Sequence, residues 1–141
     1  MKEIRTEIHI ASSARRVWDI LTDFAAFPDW NPLVLEARGE PRAGERLELR
    51  VRSGREMRFR PVVLAARPER ELRWRGALLH PCLFAGEHYF LLEPDGKGTR
   101  FVHGERFSGV LAGALAGLLE AKAPKDFAAM NQALRRRAEA S

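Results

Sequence analysis

Residues 83–108, LFAGEHYFLLEPDGKGTRFVHGERFS, constrain the fold more than any other stretch of the chain. They read as two long strands joined by a turn in EPDGKG, where Pro94 fixes one dihedral and Gly96 and Gly98 admit positive φ. Placing Leu92 opposite Thr99 gives an antiparallel register in which Phe90 faces Phe101, His88 faces His103, Gly86 faces Glu105 and Phe84 faces Phe107. Side chains alternate with period two, so these residues share one face. The other face carries Ala85, Glu87, Tyr89, Leu91, Arg100, Val102, Gly104 and Arg106. The first face is aromatic at both ends, with two histidines and a carboxylate in its middle. An unpaired buried polar group costs about 1–3 kcal/mol. That centre is therefore either a well-paired core cluster or the polar end of a ligand cavity.

The remaining chain supplies partners for this hairpin. KEIRTEIHI at 2–10 alternates, with Ile4, Thr6, Ile8 and Ile10 on one face and His9 on the solvated one. Ser12 or Ser13 caps a helix expected over 14–22, where Val17, Trp18 and Leu21 have helical spacing. FAAFPDWNPLV at 24–34 holds two prolines among aromatics, which gives a short broken helix turning into a strand near Pro32. Trp30 and Asn31 are placed either to pin that turn or to close one end of a cavity.

Further strands follow at 32–40 and 45–53, after Gly54, and at 70–80. They turn Leu47, Leu49, Val51, Met57, Phe59, Leu72, Trp74 and Leu78 inward, and their arginines outward. Pro61 cannot donate to a ladder, so a bulge or edge is expected there. From Gly109 the pattern becomes helical, with Val110, Leu111, Leu115, Leu118 and Leu119 apolar in the first half and Phe127, Met130, Asn131 and Leu134 in the second. Pro124 is expected to divide this stretch into a short segment and a longer helix. Gly109, Gly113 and Gly117, spaced by four, suggest close packing or a lid. The order predicts an α+β domain over 1–141: a seven-stranded antiparallel sheet wrapped around a long C-terminal helix, with two short helices after the first strand.

Composition narrows the class. The chain has 141 residues, 45% hydrophobic and 30% charged, as a globular domain with its own core would. The run FSGVLAGALAGLL is shorter than the roughly 20 residues a membrane span needs. MKEIRTEIHI lacks an apolar leader segment, and the single cysteine, Cys82, excludes an intrachain disulfide. A reducing, cytoplasmic setting is the simplest one. The net charge of +5 and the outward arginines Arg46, Arg50, Arg52, Arg58, Arg60, Arg73 and Arg75 raise nucleic acid as a partner. Glu48, Glu56, Glu69 and Glu71 interrupt that stripe, so nucleic acid is not the expected partner.

The segments VWDILTDFAAFPDWNP, ELRWRG, GEHYFLLEP, GTRFVHGERFSG and FAAMNQAL, in this order and spacing, resemble the START/birch-pollen-allergen-like (SRPBCC) superfamily. Within it they resemble bacterial polyketide cyclase/dehydrase-like proteins. The resemblance covers nearly the whole chain. It implies a helix-grip fold with a deep cavity for hydrophobic molecules such as lipids, polyketides, quinones or hormones. It implies no universal catalytic set, and fold alone does not settle function.

The expected ligand site is accordingly Trp30, Asn31, Phe59, Trp74, His88, Phe90, Phe101, His103, Glu105 and Phe107: aromatic walls around a few convergent polar groups. As a binding module the chain would use His88, His103 and Glu105 to orient a carbonyl, hydroxyl or carboxylate. As a cyclase or dehydrase it would use His88 and Glu105 as an acid–base pair next to a ligand carbonyl. Two histidines and a carboxylate also have the composition of a metal triad, but the resemblance predicts no metal there, and no metal or cofactor is expected. The chain has no phosphate-cradling glycine loop, GxSxG serine or paired-cysteine motif. Exposed sheet edges and the glycine-spaced segment leave room for a homodimer.

Overall fold

A computed structural model describes residues 2–77 and 80–140. The strands are β1 (Lys2–Ile10), β2 (Val34–Arg38), β3 (Glu48–Ser53), β4 (Arg55–Phe59), β5 (Val62–Arg67), β6 (Glu71–Ala77), β7 (Ala85–Asp95) and β8 (Gly98–Ser108). The helices are α1 (Ala14–Thr22), α2 (Phe27–Trp30) and α3 (Ala112–Glu139), and a 3₁₀ turn at Phe24–Ala26 leads into α2.

The expected seven-stranded sheet is instead two antiparallel sheets, one of five strands in the order β1-β8-β7-β6-β5 and one of three in the order β2-β3-β4. The division falls at Arg60–Pro61, between β4 and β5. Proline cannot donate to a ladder, so the expected long strand splits there. The two sheets remain stitched: Leu47 N–H donates to Pro61 O and Val63 N–H to Glu45 O, each at 2.8 Å. Met57, expected inside, is 38% exposed, because β4 is an edge strand with four of its five residues outside the core.

The β7–β8 hairpin keeps its faces but not its register. Leu92 pairs with Phe101, Phe90 with His103, His88 with Glu105 and Gly86 with Phe107. Each partner lies two residues from the expected one, because the strands extend to Asp95 and Gly98 and leave a two-residue connection. Gly96 has φ +64 at its first position while Lys97 is not in the left-handed region, the pattern of a type II′ turn. An even shift leaves every side chain on its expected face. β1 completes this wall, with Ile4 opposite Glu105, Thr6 opposite His103 and Ile8 opposite Phe101.

α1 spans the expected residues, and Ser13 Oγ accepts from Arg16 N–H at its N-terminus. α3 is one 28-residue helix that contains Pro124, not two segments. Its second half packs on the sheet through Phe127, Met130 and Leu134, at most 3% exposed, and this packing holds the helix through the missing hydrogen bond. The carbonyls of its last turn are capped from α1: the Arg16 guanidinium donates to Ala138 O at 2.6 Å and Ala140 O at 2.9 Å. The first half differs. Just before it Val110 is 75% exposed, and within it Gly113 and Gly117 face open space among the described residues, so these two glycines show no close packing there. The expected inward place of Leu78 and apolar packing of Leu118 and Leu119 lie outside the described residues. Among the described residues no helix is long and apolar enough to cross a membrane.

Candidate functional site

The core-facing side of the five-stranded sheet carries an aromatic layer in ring contact. Trp74 of β6 stacks on His88 at 5.4 Å, and Phe90 touches Trp74, His88, His103 and Phe101. From α3, Phe127 stacks on His103 at 4.3 Å with an interplanar angle of 9° and meets His88 at 5.1 Å. Dispersion and quadrupole contacts between such rings add to the area they bury.

A polar chain runs through this layer. His88 Nε2 lies 2.6 Å from His103 Nε2, and His103 Nδ1 lies 2.8 Å from Asn131 Oδ1. Asn131 Nδ2 donates to Thr6 Oγ1 at 2.9 Å, and the Thr6 hydroxyl donates to His103 O at 2.8 Å. At the other end, His88 Nδ1 stands 3.5 Å from Glu105 Oε1, an ion-pair distance longer than an ordinary hydrogen bond. His103 has no exposed surface. Burial above all, and the neighbouring His88 next, push its pKa well below the usual histidine range, against the opposing hydrogen bond to Asn131.

The inner end of the chain is thus sealed and paired, whereas the outer end is not. The Glu105 side chain is 21% exposed and that of His88 9%. The Glu105 carboxylate leans across the strand pair onto Gly86, where a Cβ would collide with it. Gly86 therefore provides the seat from which the carboxylate reaches His88. Phe84 and Phe107, 5.6 Å apart, lie beyond it toward the end of the sheet.

Of the expected site residues, Trp74, His88, Phe90, Phe101, His103 and Glu105 come together, with Phe107 beside them. His103 was expected directly opposite His88; it stands diagonal to it, and Glu105 takes the opposite place. Phe59 is half-buried on β4 in the other sheet. Trp30 belongs to a separate aromatic group with Phe27 and Phe24. Asn31 is buried in the turn into β2, where its Oδ1 accepts from the Leu33 and Val34 amides, both at 2.9 Å. Asn131, Phe127 and Thr6 are the partners that sequence reasoning missed. An asparagine within the apolar stripe of α3 was the available signal.

Two surface clefts of about 230 Å³ each lie elsewhere. One is formed on α1 by Ser13, Arg15, Arg16, Asp19 and Ile20. The other lies between Pro32, the β3–β4 turn and α3, lined by Arg52, Lys122 and Asp126 among others. Neither touches His88 or Glu105. The outward arginines are largely engaged: Arg50 pairs with Glu36 and Glu56, Arg52 with Glu56, and Arg73 with Glu71 and Glu87.

Comparison with known proteins places the fold. The family profile described as polyketide cyclase / dehydrase and lipid transport matches residues 1–139. Among solved structures, the Zhui aromatase/cyclase from Streptomyces sp. R1128 superposes with a TM-score of 0.78 at 19% identity, covering 98% of this chain and 93% of that one. A START superfamily protein from Mycobacterium smegmatis gives 0.74 at 22% identity, with 97% of each chain covered. The Aha1 dimer from Colwellia psychrerythraea gives 0.75 at 18% identity, covering 99% of this chain and 97% of that one. No curated protein matches the chain. At these identities the structural likeness speaks for the fold: α+β helix-grip.

Proposed function

The chain belongs to the polyketide cyclase / dehydrase and lipid transport family, and from that premise we propose that it binds a hydrophobic small molecule between the five-stranded sheet and α3. The lipids and polyketides of the family's description are the candidate classes. The observation that carries this reading is the His88–Glu105 pair. It is largely but not fully shielded, held at 3.5 Å rather than closed into a hydrogen bond, and set in an aromatic layer. A hydroxyl of a ligand would complete the pair's hydrogen bonding, while Trp74 and Phe107 supply apolar contact. Ion pairing of Arg50, Arg52 and Arg73 with neighbouring glutamates supports the same choice over nucleic acid, since those charges are already compensated. Native mass spectrometry of the purified protein, followed by extraction of whatever co-purifies, tests the proposal. A molecule bound one to one, and lost in His88→Ala, is the expected result. A tightly held polar or nucleic-acid species would overturn it.

A second reading, catalysis of a cyclase or dehydrase type, draws on one further feature. His88 and Glu105 are direct cross-strand neighbours, so a base and a carboxylate meet at one place. On a linear poly-β-ketone substrate, Glu105→Gln would then abolish turnover while changing affinity less than about threefold. Equal loss of both would favour binding alone.

A further inference from the structure

We propose that Asn131 is the positioning residue of the His88–Glu105 pair: it sets the direction of the hydrogen-bond chain, so that Nδ1 of His88 is the one ring nitrogen left to exchange a proton with a bound ligand. Only the ligand step rests on the function proposed above; the direction of the chain belongs to the protein without ligand.

The direction follows from counting donors. The Thr6 hydroxyl has one proton, and it lies 2.8 Å from the carbonyl of His103. With that proton committed, Thr6 Oγ1 accepts from Asn131 Nδ2 at 2.9 Å. The amide is then oriented with Oδ1 toward His103 Nδ1, 2.8 Å away; the Phe127 backbone carbonyl, which can only accept, is a second partner of this ring, and Nδ1 must carry a hydrogen. Reversing the chain would leave Thr6 with one proton for two acceptors, His103 O and Asn131 Oδ1. His103 is fully enclosed between Phe127 and Phe90, and an enclosed imidazole is neutral. A neutral ring holds one N–H, so Nε2 of His103 is a lone pair. His88 Nε2, 2.6 Å from it, must donate and keep its hydrogen.

What remains on His88 is Nδ1, which faces Glu105 Oε1 at the less shielded end of the chain. A ligand hydroxyl or enol that gives its proton to Nδ1 leaves an oxyanion. The imidazolium so formed lies against the Glu105 carboxylate. In the opposite direction the same proton returns to the ligand oxygen. The preferred ligand group is therefore a weakly acidic hydroxyl, of phenol or enol type, rather than a cation or a plain hydrocarbon end.

Nitrogen-15 NMR of the imidazole rings tests this without any ligand. In the wild-type protein at neutral pH we expect His103 protonated at Nδ1 and bare at Nε2, with His88 protonated at Nε2. Asn131→Asp retains an acceptor and should preserve that pattern. Asn131→Leu removes it, leaving the Phe127 carbonyl as the ring's remaining acceptor, and should move the His103 proton partly to Nε2, with partial loss of the proton from His88 Nε2. A wild-type His103 that carries its proton on Nε2 overturns the proposal, and so does an Asn131→Leu spectrum with both rings unchanged. Should Asn131→Leu not fold, the wild-type tautomers decide the matter alone. Failure to bind a ligand alters none of these signals in the ligand-free protein, so the two proposals fail separately.

Discussion

His103 and Tyr89 sit on opposite faces of the same sheet, and each carries a pH signature that follows from its surroundings. His103 is depressed well below its ordinary value of 6.5, so the unfolded chain takes up a proton there before the folded one does. Its contribution to stability is fully present above about pH 6.5 and is lost as pH falls below that, by up to about 1.4 kcal/mol per pH unit. Chemical denaturation across this range should show the slope in the wild-type protein and a flatter profile in His103→Gln. Identical slopes would contradict the burial argument. Tyr89 is buried on the outer face, with its hydroxyl donating to Glu3 at 2.7 Å and the Arg73 guanidinium 4.8 Å above its ring. Burial first, and the hydrogen bond to Glu3 second, push its pKa from 10 up to about 12. The raised value means that its contribution holds below about pH 10 and disappears as pH rises through about 12. The chain holds one tyrosine, so tyrosinate absorbance reads this group alone. We expect a midpoint near 12 when folded and near 10 in denaturant; a folded midpoint near 10 would show the hydroxyl to be solvated.

The elements that were legible in the sequence are those whose neighbours are local. β1, α1 and the two faces of the β7–β8 hairpin follow from alternation, helical spacing and a capping serine, because each pattern reports burial within a few residues. Register was less legible: EPDGKG admits connections of different length, and lengths that differ by an even number bury the same side chains. The polar site was half-legible for a related reason. His88, His103 and Glu105 could be placed on one face of one hairpin, but their partners Asn131 and Phe127 lie on α3, whose rotation against the sheet no local pattern encodes. The same limit applies to Trp30 and Phe59: one stands in the α2 aromatic group and the other on the second sheet, and both pack against the core.

Pro124 shows tertiary packing overriding a breaker. A proline within a helix costs about 3 kcal/mol, yet α3 continues through it. Pro124→Ala restores the backbone donor, and we expect it to raise stability by roughly 1–3 kcal/mol in thermal or urea unfolding. A loss of stability would mean that α3 needs a proline-induced bend to lie on the sheet.

At the scale of the molecule, two antiparallel sheets and α3 enclose one continuous apolar core. Its polar interruption runs from Thr6 through Asn131, His103 and His88 to Glu105. The inner end is saturated with hydrogen bonds, while at the outer end His88 Nδ1 and Glu105 Oε1 stand 3.5 Å apart, which gives the chain a direction from core toward the sheet end near Phe84 and Phe107. We propose that a ligand's polar group docks at that outer end. Chemical-shift mapping with a small hydroxylated aromatic probe, 1-naphthol, tests this most directly. We expect the largest perturbations at the His88 ring, the Glu105 amide and the Trp74 indole, and their loss in Glu105→Gln. Perturbations confined to the clefts at Arg16 or Lys122, with His88 and Trp74 unmoved, would contradict it.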